Sequence, residues 1–222
     1  MAIARDSELF AQTSASSPFT FAFNNVAGDA LYVMGHDATG VPTILTGVTY
    51  AGVSMTKIAE LPGNASFNDR AITLWRLVAP ATGSNNIVVT APGATNLRFD
   101  VVSYSGVHQS IPEDGTDTTT GTTVTSISTD ITTGVADCWM LQFSKDQNGT
   151  RTYTNTTGDS IRYNTDAGGH LIVDTNSSFA AGLNTITDTM TSVTGIGALA
   201  VAIRPVASAV SSSSNFLLMG VG

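Results

Sequence analysis

Phe19-Thr20-Phe21-Ala22-Phe23, then Asn24-Asn25-Val26-Ala27-Gly28-Asp29, then Ala30-Leu31-Tyr32-Val33-Met34-Gly35-His36: these residues decide the fold. The first run alternates with a period of two, which puts three aromatic rings on one face of an extended chain. The second run is a cluster of turn formers. In the third, Leu31, Val33 and Gly35 lie on one face and Tyr32 and Met34 on the other. A strand apolar on both faces belongs in the middle of a sheet.

The same grammar recurs outward from this stretch. Residues 71–78 place Ile72, Leu74, Arg76 and Val78 opposite Trp75 and Leu77. Residues 97–104, 138–143 and 196–203 are further strong strands, and 124–131 is a Thr- and Ser-rich edge. Residues 47–50 and 53–56 flank Gly52 as a tight hairpin, and 87–90 is expected to pair with 97–104 across Pro92-Gly93-Ala94. Helical periodicity is nearly absent. The expected fold is all-β, an antiparallel β-sandwich.

Residues 108–123 are poor in apolar side chains and rich in Asp, Gly and Thr, so they read as a long surface loop and as the seam between two halves. The halves echo each other: 19–36 resembles 123–143, and 87–104 resembles 186–203. That pattern suits a jelly roll built from two Greek-key halves, and an immunoglobulin-like sandwich with extra strands fits it as well. Residues 1–17 read as an N-terminal arm, 18–206 as the sandwich, and 207–222 as a Ser-rich linker followed by an apolar C-terminal arm. The apolar cluster Phe216, Leu217, Leu218, Met219 and Val221 needs something to bury it. With Leu9 and Phe10 of the first arm, it supplies the expected interaction residues.

Composition narrows the function classes. Of 222 residues only 12% are charged, while Thr occurs 33 times, so the surface is built from hydroxyls and amides. The net charge of −8 opposes binding to nucleic acid through phosphates and adhesion to an anionic membrane. No apolar run approaches the ~20 residues of a membrane-spanning helix. The first residues lack the basic and apolar regions of a secretory signal. The one cysteine, Cys138, sits in an apolar run and reads as a core thiol.

Catalytic patterns do not emerge, and the chain reads as a non-enzyme. His36, His108 and His170 have no second ligand at metal spacing, and neither a nucleophile elbow nor a phosphate loop is present. Glu113, Asp114 and Asp117 form the best calcium candidate, since carboxylates and loop carbonyls suit that ion, but the simpler reading is a solvated acidic loop. Trp75 and Trp139 read as core residues, and Tyr104, Tyr153 and Tyr163 as candidate sugar platforms near strand ends.

The segments TGVTYAGVSMTKI (46–58), LWRLVAPATGSNNIVVT (74–90) and FDVVSYSGVHQSIPEDG (99–115) together resemble a widespread group of phage and metagenomic β-sandwich proteins. The likeness spans roughly residues 17–206. It implies a virion structural protein of a tailed phage, foremost a capsid decoration or cement protein. Its expected partners are the major capsid protein, other virion proteins and further copies of itself, as in a trimer. The alternative is a carbohydrate-binding or host-adhesion module of a tail or head fibre. The resemblance carries over no catalytic residue and no cofactor.

Overall fold

A computed structural model describes residues 2–14, 17–37, 45–63, 71–94, 96–146, 153–155, 160–165, 170–175 and 178–206. The described residues form antiparallel β-sheet throughout, as the alternating patterns require. The strands in chain order are β1 (Ala4–Thr13), β2 (Phe19–Asn25), β3 (Ala30–Asp37), β4 (Gly47–Tyr50), β5 (Val53–Ser54), β6 (Thr56–Leu61), β7 (Ile72–Val78), β8 (Gly83–Thr90) and β9 (Leu97–Ser105). They continue with β10 (Glu113–Gly121), β11 (Val124–Thr133), β12 (Trp139–Asp146), β13 (Tyr153–Asn155), β14 (Ser160–Thr165), β15 (His170–Asp174), β16 (Gly182–Val193) and β17 (Ile196–Ile203).

Four sheets result. Sheet I has the order β1-β9-β3-β7-β6 and sheet II the order β2-β8-β4-β5. Sheet III has the order β10-β17-β12-β15-β14 and sheet IV the order β11-β16-β13. Sheet III repeats sheet I strand for strand, and among the described residues sheet IV repeats sheet II without a counterpart to β5. The strand order therefore resolves into two complete sandwiches in tandem, rather than one jelly roll with a Greek key in each half. The echoes heard in the sequence join true equivalents: β2–β3 with β11–β12, and β8–β9 with β16–β17.

Three cores stack the sheets in the order II, I, III, IV. Between II and I lie Phe19, Phe23, Tyr50, Ile87 and Val89 against Leu31, Val33, Trp75, Phe99 and Val101. Between I and III lie Tyr32, Met34, Leu74, Val102 and Tyr104 against Trp139, Leu141, Phe143, Leu199 and Val201. Between III and IV two smaller clusters surround Met140, Ala200 and Ile186 on one side and Ala198, Ile127 and Met190 on the other. The inner strands bury both faces, which is why β12 and β17 are buried at every residue.

Several expectations change here. Residues 87–90 and 97–104 do not pair: β8 belongs to sheet II and β9 to sheet I, so the Gly93 turn crosses between sheets. The expected loop 108–123 contains strand β10, paired along β17 from Glu113↔Ile203 to Gly121↔Ile196. The expected arm 1–17 contains β1, paired with β9 from Ala4↔Ser105 to Thr13↔Leu97. Both are sheet-edge strands whose outward residues are polar, so neither shows a strong apolar alternation. The tight hairpin stands as read, with Ala51 and Gly52 at φ 51° and 78°, the signature of a two-residue primed turn.

The join between the sandwiches is short. Gly106 adopts φ 72°, and a Cβ there would lie 2.2 Å from the Ala2 carbonyl oxygen, so only glycine fits. Its N–H donates to Asp29 Oδ2 at 2.6 Å. Beyond it, Glu113 of β10 reaches across to sheet I. It accepts a hydrogen bond from Tyr32 Oη at 3.2 Å and pairs with Arg76 Nε at 3.1 Å. Burial pushes the Glu113 carboxyl above its ordinary 4.5, and the attraction of Arg76 and the Tyr32 hydrogen bond offset this only in part. An acid with a raised folded pKa holds its proton more tightly when folded. Stability from this group is thus full below about 4.5 and declines as pH rises through the folded value. Glu113→Gln should remove that decline, so the stability difference between wild type and variant, measured by urea unfolding, should shift with pH just above 4.5 and be flat well below it.

Candidate interaction surface

The two sandwiches share a topology and differ in how their outermost strands meet. In each, the first strand edges one sheet and the second edges the sheet opposite, β1 with β2 and β10 with β11. In the second sandwich, carboxylates on β10 stitch this line shut. Asp117 Oδ2 accepts the Asp130 N–H at 2.8 Å, and Asp114 Oδ2 accepts the N–H groups of Gly134 and Val135 at 2.8 and 2.9 Å.

In the first sandwich the corresponding line is open. One hollow of about 230 Å³ lies between residues 11–13 of β1 and Pro18 with residues 19–21 of β2, floored by Phe99. A second, of about 440 Å³, lies between residues 7–9 and 22–24, beside Ser84 of β8. Together they line residues 7–9 and 11–13 of β1 as a groove. Its walls hold Leu9, Ala11 and Phe21, which pack partly buried against the core between sheets I and II. Phe21 stacks on Phe99 with ring centroids 5.3 Å apart. Glu8, which pairs with Arg5 at 3.4 Å, is the one charged residue among those lining the groove. Such a groove offers strand edges on both sides and apolar side chains between them, which suits an extended, uncharged chain.

Leu9 therefore lies on this surface. Phe10, one position on, takes the opposite face of β1 beside Asp100. Phe216, Leu217, Leu218, Met219 and Val221 lie outside the described residues.

The calcium candidates are not brought together. Glu113 turns to Tyr32 and Arg76, Asp114 to the β11 turn and to Arg204 at 3.7 Å, and Asp117 to Asp130. Among the described residues no group of three or more His, Cys, Asp or Glu could hold a metal ion. His108 is a loop stay, its Nδ1 accepting the N–H groups of Ser110 and Ile111. His36 is buried with its ring 5.4 Å from that of Phe143.

Tyr104 cannot serve as a sugar platform, because it is fully buried in the central core, edge-on to Tyr32 and Trp139. It stands at the end of its strand, but the second sandwich covers that end, and one sandwich read alone could not show this. The side chains of Tyr153, Tyr163 and His170 lie outside the described residues. Trp75 and Trp139 are core residues, as expected.

A buried polar cluster went unnoticed in the sequence. Asp188 Oδ2 accepts hydrogen bonds from Gln142 Nε2 and Ser144 Oγ, each at 2.6 Å, and Thr129 bonds Gln142 Oε1. All four residues are buried between sheets III and IV, where they split that core in two. The signal was present as polar residues at inward positions of β11, β12 and β16. Asp188→Ala should lower stability by about 2–4 kcal/mol, because it leaves two buried donors unmatched, and denaturant unfolding would measure this.

Cys138 is buried, its thiol facing Asp114 Oδ2 at 3.7 Å. Burial, reinforced by the Asp114 carboxylate, pushes the thiol up to about 12. At pH 8 only about one molecule in ten thousand then carries the thiolate, so a thiol reagent should leave the folded protein unlabelled and modify it fully once unfolded.

Among the described residues no helix is long and apolar enough to cross a membrane. No family model and no curated protein matches the chain.

Proposed function

We propose that the protein is a structural component of a tailed-phage particle, a decoration protein that cements the head through contacts made by its edge strands and terminal segments. The observation that carries this reading is the nearly uncharged groove along β1 and β2, lined by polar and apolar side chains alike, on a chain of which only 12% of residues are charged. Such a surface binds chain segments of neighbouring proteins, as assembly proteins require. The motif resemblance over 46–58, 74–90 and 99–115 supports the same class. Those segments build the β4–β5 hairpin, the β7–β8 connection and the Gly106 join.

In an assembled particle the expected partners are the major capsid protein and further copies of the chain. Quantitative mass spectrometry of gradient-purified particles should recover the protein at a fixed copy number relative to the major capsid protein. Its absence from such particles would overturn the reading. Removing residues 215–222 should abolish incorporation and leave the circular dichroism of the sandwiches unchanged.

A further inference from the structure

We propose that the line between β1 and β2 is closed by the same line of a second copy, about a two-fold axis that sets β1 against β1 and β2 against β2 and so continues sheets I and II from one molecule into the next. The inference rests on the reading of this line as an assembly surface, and it names the partner.

The first observation is where the molecule guards its edges. An exposed edge strand invites pairing with another chain, and proteins blunt it with short length, bulges and charge. Among the described residues eight strands edge the four sheets. β5 and β13 have only two and three residues. β6, β10, β11 and β14 are each interrupted by a register shift. The first three also carry charge: Lys57 and Glu60 on β6, Glu113, Asp114 and Asp117 on β10, and Asp130 on β11. β2 has neither guard, since Phe19–Asn25 pairs with β8 without a shift and holds no charged side chain. β1 shifts between Arg5 and Ser7, and from Ser7 to Thr13 it runs regularly with Glu8 as its one charge. Two weakly guarded edges thus lie side by side.

The second observation is that one axis serves both sheets. Residues 11–13 of β1 stand against Pro18 and residues 19–21, and residues 7–9 stand against residues 22–24. The two strands therefore run in opposite directions, with Phe10 level with Phe21. A two-fold through these residues places Leu9 opposite Ala11 and Glu8 opposite Gln12 of the second copy. In sheet II it places Phe19 opposite Phe23 and Thr20 opposite Ala22. Each pair joins residues of one face, as antiparallel pairing requires, and no like charges meet.

The third is chemical fit. On the inner side Leu9, Ala11 and Phe21, packed partly buried at the rim of the core, meet their counterparts. The polar share of the lining suits a strand edge, whose N–H and C=O groups a second strand satisfies. In the second sandwich Asp114 and Asp117 already close the equivalent line, so each copy offers this surface once and the assembly closes as a dimer.

Sedimentation equilibrium of the full-length chain tests this, and a concentration-dependent dimer is expected. Gln12 is exposed and meets Glu8 twice in each dimer. Gln12→Glu should weaken the dimer and Gln12→Lys should strengthen it, each by roughly 2- to 30-fold for two cross-strand pairs. In a second measurement, chains carrying Thr20→Cys are mixed with chains carrying Ala22→Cys and oxidised. The mixed disulfide should form faster than the disulfide of either variant alone. A chain that stays monomeric at every concentration overturns the proposal. So does a dimer or higher oligomer indifferent to the charge at position 12 and to the mixing. Neither result touches the copy number in particles, by which the particle reading is judged.

Discussion

The structure depends on one constraint: the central strands of sheets I and III bury both of their faces. Stacking two sandwiches back to back removes from water the side that each inner sheet would otherwise show to solvent. β3, β9, β12 and β17 can then have no polar face, and any polar group placed there needs an internal partner. Tyr32 shows the consequence. Its ring packs edge-on against Tyr104 in the central core, and its hydroxyl is satisfied by Glu113, contributed by the other sandwich. The same carboxylate engages Arg76, so one residue on the first strand after the join adds a polar tie to the apolar core between the halves. Without that central contact the two sandwiches would be separate beads on a short linker.

Repetition of the topology makes the differences between the halves informative. β1 and β10 occupy equivalent places, yet β10 carries Asp114 and Asp117 where they cap the backbone of β11, and β1 carries Leu9 and Ala11 beside an open groove. The core between sheets I and II is one continuous apolar cluster, while that between III and IV is divided by Asp188 and its donors. The halves thus differ in polarity: the second is stitched and internally polar, the first has an apolar core and an open edge. The acidic stretch 113–117, which looked like a solvated or cation-binding loop, is in fact the stitching.

The central strands were legible because double-sided burial writes itself as an unbroken apolar run, as in 30–36 and 196–203. The β4–β5 turn was legible because Ala51-Gly52 meets a local backbone demand. The sheet edges were not. β1 and β10 are half-exposed, so Arg5, Glu8, Asp117 and the threonines of 118–120 break their alternation, and their strand character comes from pairing with β9 and β17 rather than from their own side chains. The pairing of β8 with β9 was misread because adjacency in sequence favours a hairpin, whereas each strand is central in a different sheet. Tyr104 was misplaced for a related reason: what buries it lies some 35 residues away, in Trp139. Of the groove, Leu9 alone had been singled out; its other wall, Phe21, was legible only as a member of an aromatic face.

An open edge is a liability that proteins manage by charge, by twist or by cover. Here the two halves face the same geometric problem with the same topology. The second half answers with carboxylates that accept the amide groups of the opposite strand. The first half has no such groups on the inward side of β1, where Leu9 and Ala11 stand instead. An apolar answer is the one that fits Leu9 and Ala11 on this wall. The low charge of the whole chain sharpens the point. With few surface charges to discourage edge-to-edge association, the line between β1 and β2 is the part of the first sandwich least protected against pairing with another strand.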